Sequence, residues 1–87
     1  MSLKDEFETA TRNISKLSQR PANDELLVLY ALFKQATEGD VKGDRPGMLD
    51  IKGRKKYDSW ALKKGKTEDE ARGEYVQFVR TLQEKYK

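Results

Sequence analysis

The hydrophobic pattern of this chain is dominated by the stretch from Pro21 to Gly39, PANDELLVLYALFKQATEG, in which Leu26 to Phe33 are apolar or aromatic without interruption. At about 100° per helical residue, Leu26, Leu27, Tyr30 and Lys34 share one wedge, and Leu29, Leu32, Phe33 and Ala36 share another. The second wedge suits a core. The first runs aliphatic, aromatic, cationic. It fits either a central helix buried on both sides or a surface for a ligand with an apolar portion, a flat ring and an anionic group. Asn23 or Asp24 is the expected N-cap, followed by acids in the first turn, and Gly39 the expected stop.

Three further segments carry helical spacing. Leu3, Phe7, Ala10, Ile14 and Leu17 form one apolar stripe, with Ser2 and Asp5 placed to cap its start and Gln19-Arg20-Pro21 to end it. A shorter helix is predicted from about Arg54 to Lys64, with Tyr57, Trp60 and Ala61 buried and Gly65 as its terminator. Thr67 to Glu70 reads as a capping box opening a fourth helix, striped by Ala71, Tyr75, Phe78, Val79, Leu82 and Tyr86. Between Gly39 and Gly53 the pattern disappears. Four glycines and a proline exclude a regular helix there, and Met48, Leu49 and Ile51 are expected to pin this long connection to the bundle. Four helices around one core is the predicted all-α fold, as a single domain over residues 1–87.

Composition narrows the chemistry. The charged fraction is 38% and the hydrophobic fraction 36%, so the core must be economical. There is no cysteine, which excludes disulfides, thiol catalysis and thiolate metal sites, and no histidine, the usual general base and commonest zinc ligand. No nucleophile stands beside a base, so an enzyme is not expected, nor a metal or cofactor. The N-terminus is charged from Lys4 onward, unlike a secretory leader, and no apolar run approaches the roughly 20 residues of a membrane span. A soluble cytoplasmic protein is the expectation.

The net charge is +3, with basic residues concentrated between Lys42 and Lys66. Lys52 and Lys56 fall near the start of the third helix, where cations oppose the helix dipole unless an anion is present. The neutral reading is a solvated basic face. The Gly39–Gly53 connection lacks the order of a P-loop and the spacing of an EF-hand. Basic residues interleaved with aromatics, as in RKKYDSW, also occur in nucleic-acid binders, and a groove for a partner helix would make an adaptor. A small basic helical nucleic-acid-binding or adaptor module is therefore the alternative reading.

The stretch 21–39, with Pro21, Asp24, Tyr30, Phe33-Lys34-Gln35, Ala36-Thr37 and Gly39, resembles the signature of the acyl-CoA-binding protein family. RPGMLDIKGRKKYDSW, from Arg45 to Trp60, resembles that family's second block. The resemblance runs over nearly the whole chain and implies an up-down-down-up bundle that binds medium- to long-chain fatty acyl-CoA thioesters non-covalently, as a carrier and pool former. By position it implies that Tyr30 stacks on the adenine and that Lys34 and Lys56 pair with the ribose 3′-phosphate. Lys52 adds charge for the phosphates, and Tyr75 reaches the acyl-pantetheine portion. Leu26 and Leu27, with Ala31, Leu32 and Phe33, line the apolar part. Ser15 stands where family members commonly carry a lysine, and Lys16 points about 100° further round. The implied partner is the small-molecule ligand, with no nucleic acid, no membrane insertion beyond transient surface contact, and a monomeric state.

Overall fold

The computed structural model describes residues 2–87, folded into four α-helices in up-down-down-up order: α1 (Leu3–Asn13), α2 (Asn23–Glu38), α3 (Ile51–Ala61) and α4 (Glu68–Lys85). Each start has a local cause. The Ser2 hydroxyl accepts from the Asp5 amide at 3.1 Å, and Thr67 and Glu70 exchange both bonds of a capping box at 3.0 and 2.9 Å. At α2 the cap differs from the sequence expectation. Ala22 holds the N-cap position, its amide donating 2.8 Å to Glu25. Asn23 and Asp24 already lie inside the helix, because the extended backbone required of a cap falls one residue earlier, directly after Pro21.

The first helix is shorter than its stripe. After Asn13 the chain tightens into a 3₁₀ turn, Ile14–Lys16, which still lays Ile14 and Leu17 against the core. α4 is the axis of the molecule. Its Ala71, Tyr75, Val76, Val79 and Leu82 are buried against Phe7 and Ala10 of α1 and Leu29, Leu32 and Ala36 of α2. Phe78 and Tyr86 pack at the margin of this core, and Val76 belongs to it although the predicted stripe omitted it.

α3 packs on the other side of α2 and buries one side chain, Trp60. The third helix begins at Ile51, three residues earlier than predicted, because the Asp50 carboxylate caps it by accepting from the Gly53 amide at 2.9 Å. A side chain at Gly53 would lie 2.3 Å from that carboxylate, so glycine here protects the cap rather than breaking the helix. Its regular part ends at Ala61, before Gly65, whose φ of +96° turns the chain into α4. Tyr57 and Ala61 are half-buried, not buried as predicted.

The connection 39–50 is tied down by polar groups. The Arg45 guanidinium makes a bidentate pair with Asp58 at 2.9 and 2.7 Å, the Tyr57 hydroxyl donates to Gly43, and the Trp60 indole donates to Gly39. Gln35, fully buried in α2, donates to Asp40 and to the Lys66 carbonyl, both at 2.8 Å, while the same Asp40 oxygen accepts from Gly65. The expectation that Met48, Leu49 and Ile51 pin the loop is overturned. They are 78%, 99% and 65% exposed, because the hydrogen bonds hold the backbone without them.

Candidate functional site

The two wedges of α2 have different neighbours. Leu29, Leu32 and Ala36 are buried against α4, and Ala31 is buried as well. Leu26, Leu27, Tyr30 and Lys34 are only half-buried. Because α3 touches the bundle through α2, a crevice remains between these two helices. It holds a cavity of about 610 Å³. From α2 and the segment before it come Arg20, Asn23, Leu26, Leu27 and Tyr30. From the first two turns of α3 come Ile51, Lys52, Lys55 and Lys56. The walls are thus aliphatic on one part, aromatic at Tyr30 and cationic around the rim.

Tyr30 and Lys56 meet across this crevice, the Lys56 Nζ lying 5.4 Å from the centre of the tyrosine ring. An ammonium at a ring edge or face leaves an anion and a second flat ring room to bind side by side. The rim is uncompensated: among the described residues Lys52, Lys55 and Lys56 pair with no carboxylate, and no acid lines the cavity. Several cations elsewhere are paired, as in Arg45–Asp58, Lys66–Glu74, Arg72–Asp69 and Lys85–Glu25. At the start of α3 the Asp50 cap is the one carboxylate, and the first turn that follows holds Lys52 and no acid. Such a field favours an anion, and it weakens with salt.

Six sequence-predicted residues lie outside the cavity lining, Lys34, Tyr75 and Ser15 among them. Lys34 is ion-paired with Glu38, and its Nζ sits 4.9 Å from the centre of the Trp60 ring. The ammonium holds the Glu38 carboxyl below the usual carboxylate range. Tyr75 is 4% exposed in an aromatic cluster, 5.1 Å edge-on from Phe7 and 6.3 Å from Phe33, and burial pushes its phenol up. Ser15 sits in the 3₁₀ turn with its hydroxyl donating to the Arg12 carbonyl at 2.9 Å, so it is spent locally.

Of the weaker candidates, Leu26 and Leu27 line the cavity. Ala31 and Leu32 are buried away from it, and Phe33 is 39% exposed beside Phe7 rather than in the core wedge. Position on a helix of 3.6 residues per turn explains this for Leu32 and Phe33, which fall in the wedge toward α4 and α1, whereas Ala31 lies about 40° from Leu27 and is buried without lining the cavity. Sequence reading missed Arg20, Asn23, Ile51 and Lys55. A signal existed for the last two. Asp50 followed three residues later by Gly53 marks a cap, and starting the helix at Ile51 puts Ile51 and Lys55 on one face. Arg20 and Asn23 are brought in by a chain turn, where Arg20 donates 3.2 Å to Asn23, and no periodicity announces that.

Among the described residues no helix is long and apolar enough to cross a membrane, and no cluster of histidine, cysteine or acidic side chains could hold a metal.

Comparison with known proteins bears on this geometry. The family described as "Acyl CoA binding protein" matches residues 4–79. The "Acyl-CoA-binding protein homolog" of Drosophila melanogaster is 45% identical over 82 residues, covering 94% of this chain and 95% of that one. "Acyl-CoA-binding protein homolog 1" of Caenorhabditis elegans is 49% identical over 80 residues, covering 92% and 93%. The crystal structure of Oryza sativa Acyl-CoA-Binding Protein 2 superposes with a TM-score of 0.92 at 38% identity, covering 97% of this chain and 93% of that one. The solution structure of Acyl Coenzyme A Binding Protein from yeast gives 0.73 at 42% identity, covering 92% and 93%. Likeness of this extent joins the α2–α3 crevice to a known fold, and the chain belongs to the acyl-CoA-binding protein family.

Proposed function

We propose that this protein binds medium- to long-chain fatty acyl-CoA thioesters without reacting with them, and serves as their carrier and buffer. The observation that carries this reading is the crevice itself. A ring from α2, unpaired ammonium groups from α3 and three aliphatic side chains share one cavity. The ligand offers the matching parts: an aromatic base, phosphates and a hydrocarbon chain.

In this reading the adenine stacks on Tyr30, a contact of about 1–3 kcal/mol by analogy with bases on aromatic platforms. Lys56, already beside that ring, takes the ribose 3′-phosphate. Lys34 joins it by exchanging the Glu38 carboxylate for phosphate. Lys52 serves the remaining phosphates as a point charge with three donors. The hydrocarbon lies along Leu26 and Leu27, each methylene contributing at most about 0.8 kcal/mol. Half of a long chain therefore outweighs the stack, so the tail tunes affinity and the nucleotide provides recognition. Tyr75 acts from beneath, its ring supporting Phe33 and Phe7 toward the acyl-pantetheine portion.

No side chain here acts as nucleophile or base toward the thioester in this reading; the protein shields it and releases it intact. The exposed Met48, Leu49 and Ile51 beside the basic rim are suited to brief contact with an anionic membrane surface during transfer. A single-domain cytoplasmic monomer that needs no cofactor completes the proposal.

Calorimetry with hexadecanoyl-CoA, CoA and hexadecanoate tests it. Tight binding of the ester, weaker binding of CoA and weakest binding of the free acid are expected. Equal affinity for the acid and its ester would refute the nucleotide site.

A further inference from the structure

The crevice does not stop at the cavity described above. A second hollow of about 480 Å³ adjoins it, and Asn23, Leu27 and Lys55 belong to both. Its far wall is Leu62, the residue that closes α3, which is 82% exposed. Along α3 the positions 51, 55, 58/59 and 62 recur every three or four residues, so Ile51, Lys55, Asp58, Ser59 and Leu62 lie on one face. At 1.5 Å per residue this face runs about 16 Å from Ile51 to Leu62. It is apolar at both ends, and the aliphatic stem of Lys55 can bridge the middle while its ammonium stays in water.

Charge gives the groove a direction. Arg20, Lys52 and Lys56 surround the Ile51 end. The second hollow is lined by Asp24 and Asp58 instead. The Asp58 carboxylate is drawn aside by its bidentate pair with Arg45. An anion placed in that hollow would face these acids, and a hydrocarbon would face Leu27, the Lys55 stem and Leu62. We infer that the second hollow receives the distal end of a long acyl chain, and that Leu62 sets the protein's preference for long over short acyl-CoA. This rests on the acyl-CoA reading above and specifies its substrate class.

A wholly buried methylene is worth about fourfold in affinity, so a wall that covers one or two distal methylenes is measurable. The test is calorimetric titration of octanoyl-, dodecanoyl-, hexadecanoyl- and eicosanoyl-CoA into the wild type, Leu62→Ser and Leu62→Met, with helicity checked by circular dichroism. Leu62→Ser is expected to match the wild type for octanoyl-CoA and to lose about 3–10-fold for the two longest esters, with Leu62→Met restoring most of that loss. Identical dependence on chain length in wild type and Leu62→Ser overturns the inference, as does an equal loss at every length. If the wild type binds no acyl-CoA at all, the acyl-CoA reading falls as well; wild-type binding with an indifferent Leu62 removes only the tail site.

Discussion

Lys34 and Glu38 form an ion pair one turn apart on α2, with the lysine ammonium 4.9 Å from the centre of the Trp60 ring, beside the crevice rather than in it. The carboxylate holds the cation that the family resemblance assigns to the ligand's phosphate. Glu38 therefore competes with that phosphate. An exposed i,i+4 pair is worth about 0.3–0.5 kcal/mol, so Glu38→Gln should tighten hexadecanoyl-CoA binding about twofold. Titration calorimetry at low ionic strength checks this. Weaker binding by Glu38→Gln would mean that Lys34 needs its partner to stay in place.

Lys56→Ala and Lys34→Ala should each weaken binding, and the loss should shrink as salt rises toward 1 M, where the Debye length falls to about 3 Å. A charge-assisted hydrogen bond to phosphate is worth about 1.5–3 kcal/mol, which corresponds to about a tenfold to hundredfold loss for Lys56→Ala. Helicity should hold, since neither side chain belongs to the buried core. Unchanged affinity in both variants would move the phosphate site elsewhere.

Glu25 links the start of α2 to the end of α4. Its carboxylate accepts from the Lys85 ammonium at 2.7 Å, from the Tyr86 hydroxyl and from the Ala22 amide at 2.8 Å. These donors, Lys85 foremost, hold its pKa down at about 2 against an ordinary 4.5. A carboxyl depressed on folding contributes stability that is complete above about pH 4.5 and is lost as pH falls toward 2. Urea melts of the wild type and Glu25→Gln should differ most at neutral pH and converge between pH 4.5 and 2. A gap that stays constant across that range would show that the linkage carries no stability.

Gln35 ties α2 to both connections that flank α3, through Asp40 and the Lys66 carbonyl. Gln35→Leu keeps the volume and removes both bonds, taking from the Lys66 carbonyl its Gln35 donor while also removing Gln35 Oε1, a buried acceptor without a partner. The expected cost is about 1–3 kcal/mol, seen as a fall in Tm of about 4–8 °C per kcal/mol for a domain of this size. Acyl-CoA affinity should fall too, because α3 carries Lys52 and Lys56. A Tm unchanged from wild type would refute the tie.

How much of this was legible beforehand varies by element. The N-caps and stripes of α1 and α4 depend on neighbours within four residues, and Ser2, Thr67, Ala71, Tyr75 and Leu82 stand where spacing put them. The two wedges of α2 were also readable, but whether the one holding Tyr30 is buried or open was decided by α3, which leaves it lining a crevice while the one holding Leu29 meets α4. The long loop was misread. Met48, Leu49 and Ile51 are apolar, which suggested burial, but the loop is anchored by Arg45, Tyr57 and Trp60 reaching partners 13 to 21 residues away.

The sequence by itself determined four amphipathic helices, the two wedges of α2, and the absence of any cysteine or histidine chemistry, because each follows from residue type and spacing along a helix. Only the tertiary structure decided that Lys56 comes to Tyr30, that Lys34 rests on Glu38 and Trp60, that Ser15 is turned to its own backbone, and that the crevice continues to Leu62. Those relations depend on where one helix axis lies against another. That placement is set by Trp60, Gln35 and the polar ties of the loop acting together over long stretches of chain, and no local period encodes it.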